Sequence, residues 1–231
     1  MTRAIVTAAA LTVALLVAAP ARATAQAESG VELGVRLGYA FPAGNVGTPP
    51  NDVDRSLGDY VNGQVPIWFD AGYRFNPLLY LGAYFTYGLG IVNDDRQDLC
   101  RNANVDCSAT DVRLGIMGRF HLPPLAMLSP WVGVGAGYEW GTFSFQQSAI
   151  GASNTDFGWS GWEFANFQTG ADFRVAQKVV LAPFLSVSID RFGSRSTTTT
   201  TANSKITMDD DLVETSLHEW ILIGLRAAFA P

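Results

Sequence analysis

The chain has 231 residues, of which 48% are hydrophobic, 12% aromatic and only 16% charged, and its mean hydropathy is +0.15. So few charges, against the roughly 25% usual in soluble domains, exclude a typical cytosolic enzyme. The 15 Lys and Arg against 21 Asp and Glu, a net charge of -6, are the wrong sign for a surface that grips nucleic acid through phosphates.

Residues 1–27 combine a basic start at Arg3, an apolar run from Ala8 to Ala19 and a small-residue tail ending Ala25-Gln26-Ala27. This is the pattern of a secretory signal peptide cleaved after Ala25 or Ala27, because the apolar run is too short to span a bilayer and meets Pro20 at once. Its removal takes Arg3 and Arg22 away and leaves a more acidic domain over residues 28–231. Beyond it no stretch nears the roughly 20 continuous apolar residues of a spanning helix, so a chain of this composition must cross lipid with strands closed into a barrel.

From Val31 onward apolar residues recur at period two for roughly ten residues at a time, the length of a tilted membrane strand. In the first segment Val31, Leu33, Val35, Leu37, Tyr39 and Phe41 share one face, against Glu32, Gly34, Arg36 and Gly38 on the other. The second sets Ile67, Phe69, Ala71, Tyr73 and Phe75 against Trp68, Asp70, Gly72 and Arg74; the third sets Leu79 to Ile91 against Tyr80, Gly82, Tyr84 and Thr86. The fourth sets Val112, Leu114, Ile116 and Phe120 against Asp111, Arg113, Met117, Arg119 and His121. Four weaker segments follow, carried by Val132 to Trp140, Ala165 to Phe173, Val179 to Ile189 and Ile221 to Phe229. The fold expected is all-β: an eight-stranded, antiparallel, up-and-down transmembrane barrel.

Connections at 76–77, 122–129 and 176–178 are short, whereas 43–63, 92–108, 141–161 and 191–216 are long and polar. Short periplasmic turns and long outer loops characterise bacterial outer-membrane barrels, so both termini are expected in the periplasm of a Gram-negative cell. Two aromatic girdles agree with this placement: Tyr39, Phe41, Tyr138 and Trp140 at the outer strand ends, and Tyr73, Phe75, Phe120, Phe173 and Phe229 at the periplasmic ends.

The signal peptide, the eight alternating segments, runs such as Val31-Glu-Leu-Gly-Val-Arg-Leu-Gly-Tyr39 and Pro130-Trp-Val-Gly-Val-Gly-Ala-Gly-Tyr-Glu139, and the closing Trp220 to Phe229 resemble the small outer-membrane β-barrel superfamily, which includes the OmpA transmembrane domain, OmpX and OmpW. The resemblance implies architecture more than role. It also implies the barrel-assembly machinery as a partner during biogenesis, since members usually finish on an aromatic which that machinery reads.

An eight-stranded barrel is just wide enough for its own side chains. By parity its interior receives Glu32, Asp70, Asp111, Glu139, Asp172 and Asp190 together with Arg36, Arg74, Arg113, Arg119, Arg174 and Arg226, and equal numbers of each sign argue for pairing. An antiparallel register that sets Arg36 opposite Asp70 also sets Glu32 opposite Arg74, and both pairs are expected. A plugged barrel acts through its outer loops, touching a partner, the surrounding lipid or lipopolysaccharide, as a monomer and without catalysis. The alternative is a narrow channel for ions or small solutes.

Three further features bear on function. Cys100 and Cys107 lie in the second outer loop, in an oxidising compartment, and are expected to form a disulfide; two cysteines without a nearby His do not make a zinc site, and no metal or cofactor is expected. Acidic groups at Asp94, Asp95, Asp98 and Asp106 and at Asp209 to Asp211 fit solvated loops, or carboxylates that meet the divalent ions bridging lipopolysaccharide. Thr197 to Thr201 is low in complexity and is expected to be mobile. A remote alternative, a lipid A-modifying enzyme, would use Ser216 and His218 with Glu214, Ser188 and Asp190, whereas His121 has no obvious partner.

Overall fold

The computed structural model describes residues 29–48, 55–93, 100, 105–123, 128–148 and 152–229. The signal peptide and Asp94, Asp95 and Asp98 lie outside the described residues. Nine strands follow in chain order: β1 (Gly30–Gly44), β2 (Val61–Arg74), β3 (Leu79–Val92), β4 (Val105–His121), β5 (Leu128–Gln147), β6 (Ser153–Ala176), β7 (Val179–Thr201), β8 (Lys205–Asp211) and β9 (Leu217–Phe229). Each of β1 to β7 pairs antiparallel with the next, β7 pairs with β9, and β9 returns to β1, so eight strands form a ring. β8 stands outside it and pairs with β7 alone.

The sidedness is inverted relative to a soluble protein. Apolar residues of odd number on β1 and β9 and of even number on β4 face outward, with Leu33, Ile116 and Ile223 each more than half exposed, while Glu32, Arg36, Arg119 and Arg226 are buried inside. An apolar outer belt around a charged interior is stable only where lipid replaces water at the belt. No helix among the described residues is long and apolar enough to cross a membrane, so the strands are the crossing elements.

At one end of the ring the connections are tight. Between β2 and β3 the Asn76 side-chain carbonyl accepts from the amides of Leu78 (2.8 Å) and Leu79 (2.9 Å), which closes the turn without a glycine. At the other end the strands overrun the ring. The segments 141–161 and 191–216, expected as loops, are mostly strand: β5 and β6 stay paired from Gly141↔Trp159 out to Gln147↔Ser153, and Thr197 to Thr201 is held between β6 and β8. That stretch of threonines is therefore ordered, because β-branched side chains suit a pleated surface wetted on one side. Alternation is weak there since neither face meets lipid.

The segment before β2 folds inward. Ser56 caps a 3-10 turn, Leu57–Asp59, accepting from Gly58 N at 3.2 Å while its own amide donates to Asp59 at 3.1 Å. A β-bridge between Thr48 and Glu214 and a hydrogen bond from the Asn45 amide to the Leu217 carbonyl at 3.1 Å tie this segment to β9 and its approach. Val46, Leu57, Phe143, Trp159, Phe192 and Leu212 meet there and cap the interior at the end with the long connections.

Candidate functional site

The interior holds two charge clusters stacked along the barrel. Near the tight turns, Asp70 receives Arg36 (2.8 Å), Arg226 (3.0 Å) and Arg119 (3.4 Å), and Glu32 receives Arg74 (2.6 Å), Arg226 (2.6 Å) and Arg119 (2.7 Å). Two of the guanidinium groups are also covered by rings: Arg36 lies 4.5 Å from the centre of Trp68 and Arg119 3.8 Å from that of Tyr80. Asp172 accepts from the Trp131 indole at 2.9 Å and stands 3.9 Å from Arg74. His121, which had no evident partner in the sequence, sits in this cluster, its Nε2 accepting from Arg74 at 3.0 Å.

The register differs from the expected one. Asp70 lies opposite Gly34 and Glu32 opposite Gly72, so Arg36 reaches Asp70, and Arg74 reaches Glu32, diagonally. Long side chains bridge the diagonal spacing of a twisted pair, and the space over Gly34 is taken by the Asp70 carboxylate and the Arg226 guanidinium. Arg174 does not join the interior. It is half-exposed and donates to the carbonyl of Gln177 at 2.6 Å, because a register shift between Arg174 and Ala176 turns the end of β6 toward the turn.

The second cluster lies toward the long connections. Arg113 contacts Asp111 at 2.9 Å, Glu139 at 3.3 Å and Glu163 at 3.9 Å, and donates to Ser188 at 3.0 Å; Ser188 in turn donates to Asp190 at 2.6 Å. His218 Nε2 meets Glu139 at 2.8 Å, and the Trp220 indole donates to the same carboxylate at 3.1 Å. Glu163 accepts from Asn166 at 2.6 Å and from the Tyr84 hydroxyl. Glu163 escaped the parity argument because β6 carries an extra residue between Glu163 and Asn166, which sends both inward. The signal was present: Trp162 and Phe164 are apolar at even numbers and Phe167 at an odd one, a phase change within one strand.

Between the clusters a void of about 10 Å³ lies among residues including Trp68, Arg113 and Trp220, room for one water at most. Above the second cluster Phe192 stacks on the His218 ring with centroids 4.1 Å apart. His218 is therefore sealed inside, and Ser216 precedes β9 outside the strand face on which the sequence placed it.

On the outer surface Tyr39 and Phe41, Tyr73 and Phe75, and Tyr138 and Trp140 form ring contacts with centroids 4.7, 5.2 and 4.7 Å apart. Phe120 and Phe229 are about half exposed and Phe173 is partly covered, all near the tight turns. Trp162 joins the other girdle against Tyr138 at 5.2 Å. Cys100 and Cys107 form the disulfide, with Cys107 already inside β4 rather than in a loop; Asp106 and Asp209 likewise lie on strands.

A ring of eight strands, lipid-facing outside and ion-paired inside, defines a small integral outer-membrane barrel. Residues 9–208 match the model of the outer membrane protein beta-barrel domain, and the chain belongs to that family. It is an outer-membrane protein. A major outer membrane protein of Thermus thermophilus shares the fold at 12% identity and TM-score 0.52, covering 87% of this chain and 100% of its own. OprG of Pseudomonas aeruginosa (12% identity, TM-score 0.48, 90% and 100% covered) and Ail, the attachment invasion locus protein of Yersinia pestis (13%, 0.41, 86% and 98%), are more distant in shape. No curated protein matches the chain significantly in sequence.

Proposed function

We propose that the protein is a closed, non-conducting barrel that works through the strands rising beyond the ring, as a monomeric surface protein without catalysis. Both termini then lie in the periplasm, the belt contacts outer-membrane lipid and lipopolysaccharide, and the barrel-assembly machinery inserts the chain. One observation carries the reading: side chains fill the interior from Glu32 and Asp70, through Trp68 and Arg113, to His218 beneath Phe192, and the void of about 10 Å³ on that path holds one water at most. Opening a water path would separate buried ion pairs, at roughly 3–5 kcal/mol for each partner left alone. The surface beyond the ring, by contrast, is a preformed sheet, on which Ile206 and Met208 of β8 are exposed among hydroxyl side chains. Rigid backbone with exposed apolar contacts suits binding, since little ordering entropy is lost on association.

Single-channel recording of the refolded protein in a planar bilayer, beside Asp70→Ala, tests this. Silence from wild-type protein of demonstrated insertion is expected. Discrete wild-type openings that widen in Asp70→Ala would instead make it a narrow channel gated by its interior charges.

A further inference from the structure

We propose that Glu139, Asp190 and His218 bind one divalent transition-metal ion of the zinc type inside the barrel, beneath the apolar cap. A carboxylate oxygen of each acid and a ring nitrogen of His218 lie within 4.8 Å of one another. The three side chains come from β5, β7 and β9, and Asp190 and His218 are directly paired across the last two. A site on three strands of the ring, with the imidazole clamped by Phe192, is preorganised in the way metal binding rewards.

Charge supplies the second argument. In the cluster near the tight turns, Arg36, Arg74, Arg119 and Arg226 face Glu32, Asp70 and Asp172, so cations are in excess. In this cluster Asp111, Glu139 and Glu163 contact Arg113 and Asp190 reaches it through Ser188, so among the described residues four carboxylates face one arginine. Buried charge of one sign is costly unless a counter-charge enters or the acids take up protons, and a bound cation meets that cost without protonation.

The unpartnered carboxylate oxygens lie on the acid-rich side, although an Arg113 N–H there and a ring nitrogen of each histidine are unpartnered too. Near the turns the unpartnered atoms include N–H groups of Arg119 and Arg226. Here they include Asp190 Oδ1, Asp111 Oδ1 and His218 Nδ1, and Asp190 is fully buried, its other oxygen already held by Ser188. An ion-pair core that satisfies every carboxylate oxygen at one end and orphans two at the other is built for a cation at the second. Two carboxylates with an imidazole and no thiolate suit Zn²⁺ and its neighbours, whereas Mg²⁺ and Ca²⁺ prefer six or more oxygens. A pocket of about 50 Å³ among the cap residues reaches Asp111 and Glu139 and offers an entry.

The test uses untagged protein refolded in detergent, stripped with chelator and exposed to Zn²⁺, Mg²⁺ or Ca²⁺. Retained metal is measured by mass spectrometry and affinity by competition with a chromophoric chelator. One equivalent of Zn²⁺ is expected, undisturbed by excess Mg²⁺ or Ca²⁺. Asp190→Asn and His218→Gln, with folding checked by heat-modifiable gel migration, should each weaken binding about tenfold or more, while Asp209→Asn on β8 should leave it unchanged. Should the interior variants fail to fold, imidazole NMR of the wild type decides, because the chain has only 2 His: Zn²⁺ must shift the His218 signals and spare those of His121. No retained Zn²⁺, folded interior variants that bind like wild type, equal loss in Asp209→Asn, or unmoved His218 signals would each overturn the proposal.

Discussion

Gly34 lies directly across the β1–β2 pair from Asp70, and a β-carbon on Gly34 would stand 2.6 Å from one carboxylate oxygen of Asp70 and 2.9 Å from Nη2 of Arg226. The glycine is where the backbone yields space to the ion pairs. Gly34→Ala should cost about 2 kcal/mol through overpacking, read as a lower urea midpoint for the refolded protein in micelles. Gly118→Ala, where the nearest atom is the flexible end of Leu81 at 3.1 Å, should cost less.

Asp70 holds three guanidinium groups in a buried site. Asp70→Ala leaves Arg36 without its ion-pair partner and should destabilise the barrel by about 3–5 kcal/mol. The double variant Asp70→Leu with Arg36→Met should recover part of that loss, because it removes the stranded charge together with its partner. Denaturant unfolding of the three proteins gives the comparison.

Arg174 is the inward candidate by parity that the fold left at the rim, bonded to a turn carbonyl. Its replacement by Ala should change stability by no more than about 0.5 kcal/mol, whereas Arg226→Ala, which removes contacts to both Glu32 and Asp70, should unfold the protein at markedly lower urea.

Ile116 is 70% exposed in the apolar belt of β4. Ile116→Arg should cost about 2–4 kcal/mol in a bilayer, and the same change at Thr207 on β8, outside the ring, should cost almost nothing. Refolding yields into lipid vesicles distinguish the two, and equal yields would place the belt elsewhere.

The Cys100–Cys107 bridge closes a short loop at the start of β4. Reduction should expose the connection before β4 to protease while leaving the urea midpoint of the barrel where it was, because the loop it constrains contributes little to the ring. A shifted midpoint would show that the bridge supports the strands themselves.

What the sequence by itself determined is sidedness. Period-two alternation assigns Glu32, Arg36, Asp70, Arg74 and Arg119 to one face of their strands and the belt residues to the other, since a pleated strand leaves a side chain no third choice. It also locates the tight turns, through Asn76-Pro77 and the brevity of 176–178. Only the tertiary structure decided who meets whom. Arg226 of β9 reaches Glu32 and Asp70 because the ring closes β9 on β1, a pairing between the two ends of the chain. Glu163 enters the interior because one extra residue in β6 reverses its phase, and His218 meets Glu139 across the barrel, from strands that are not neighbours in the ring. Strand continuation beyond the ring was equally hidden. Alternation records a difference between lipid and interior, and above the membrane, where neither face of β6 and β7 meets lipid, that difference fades while the backbone pairing persists.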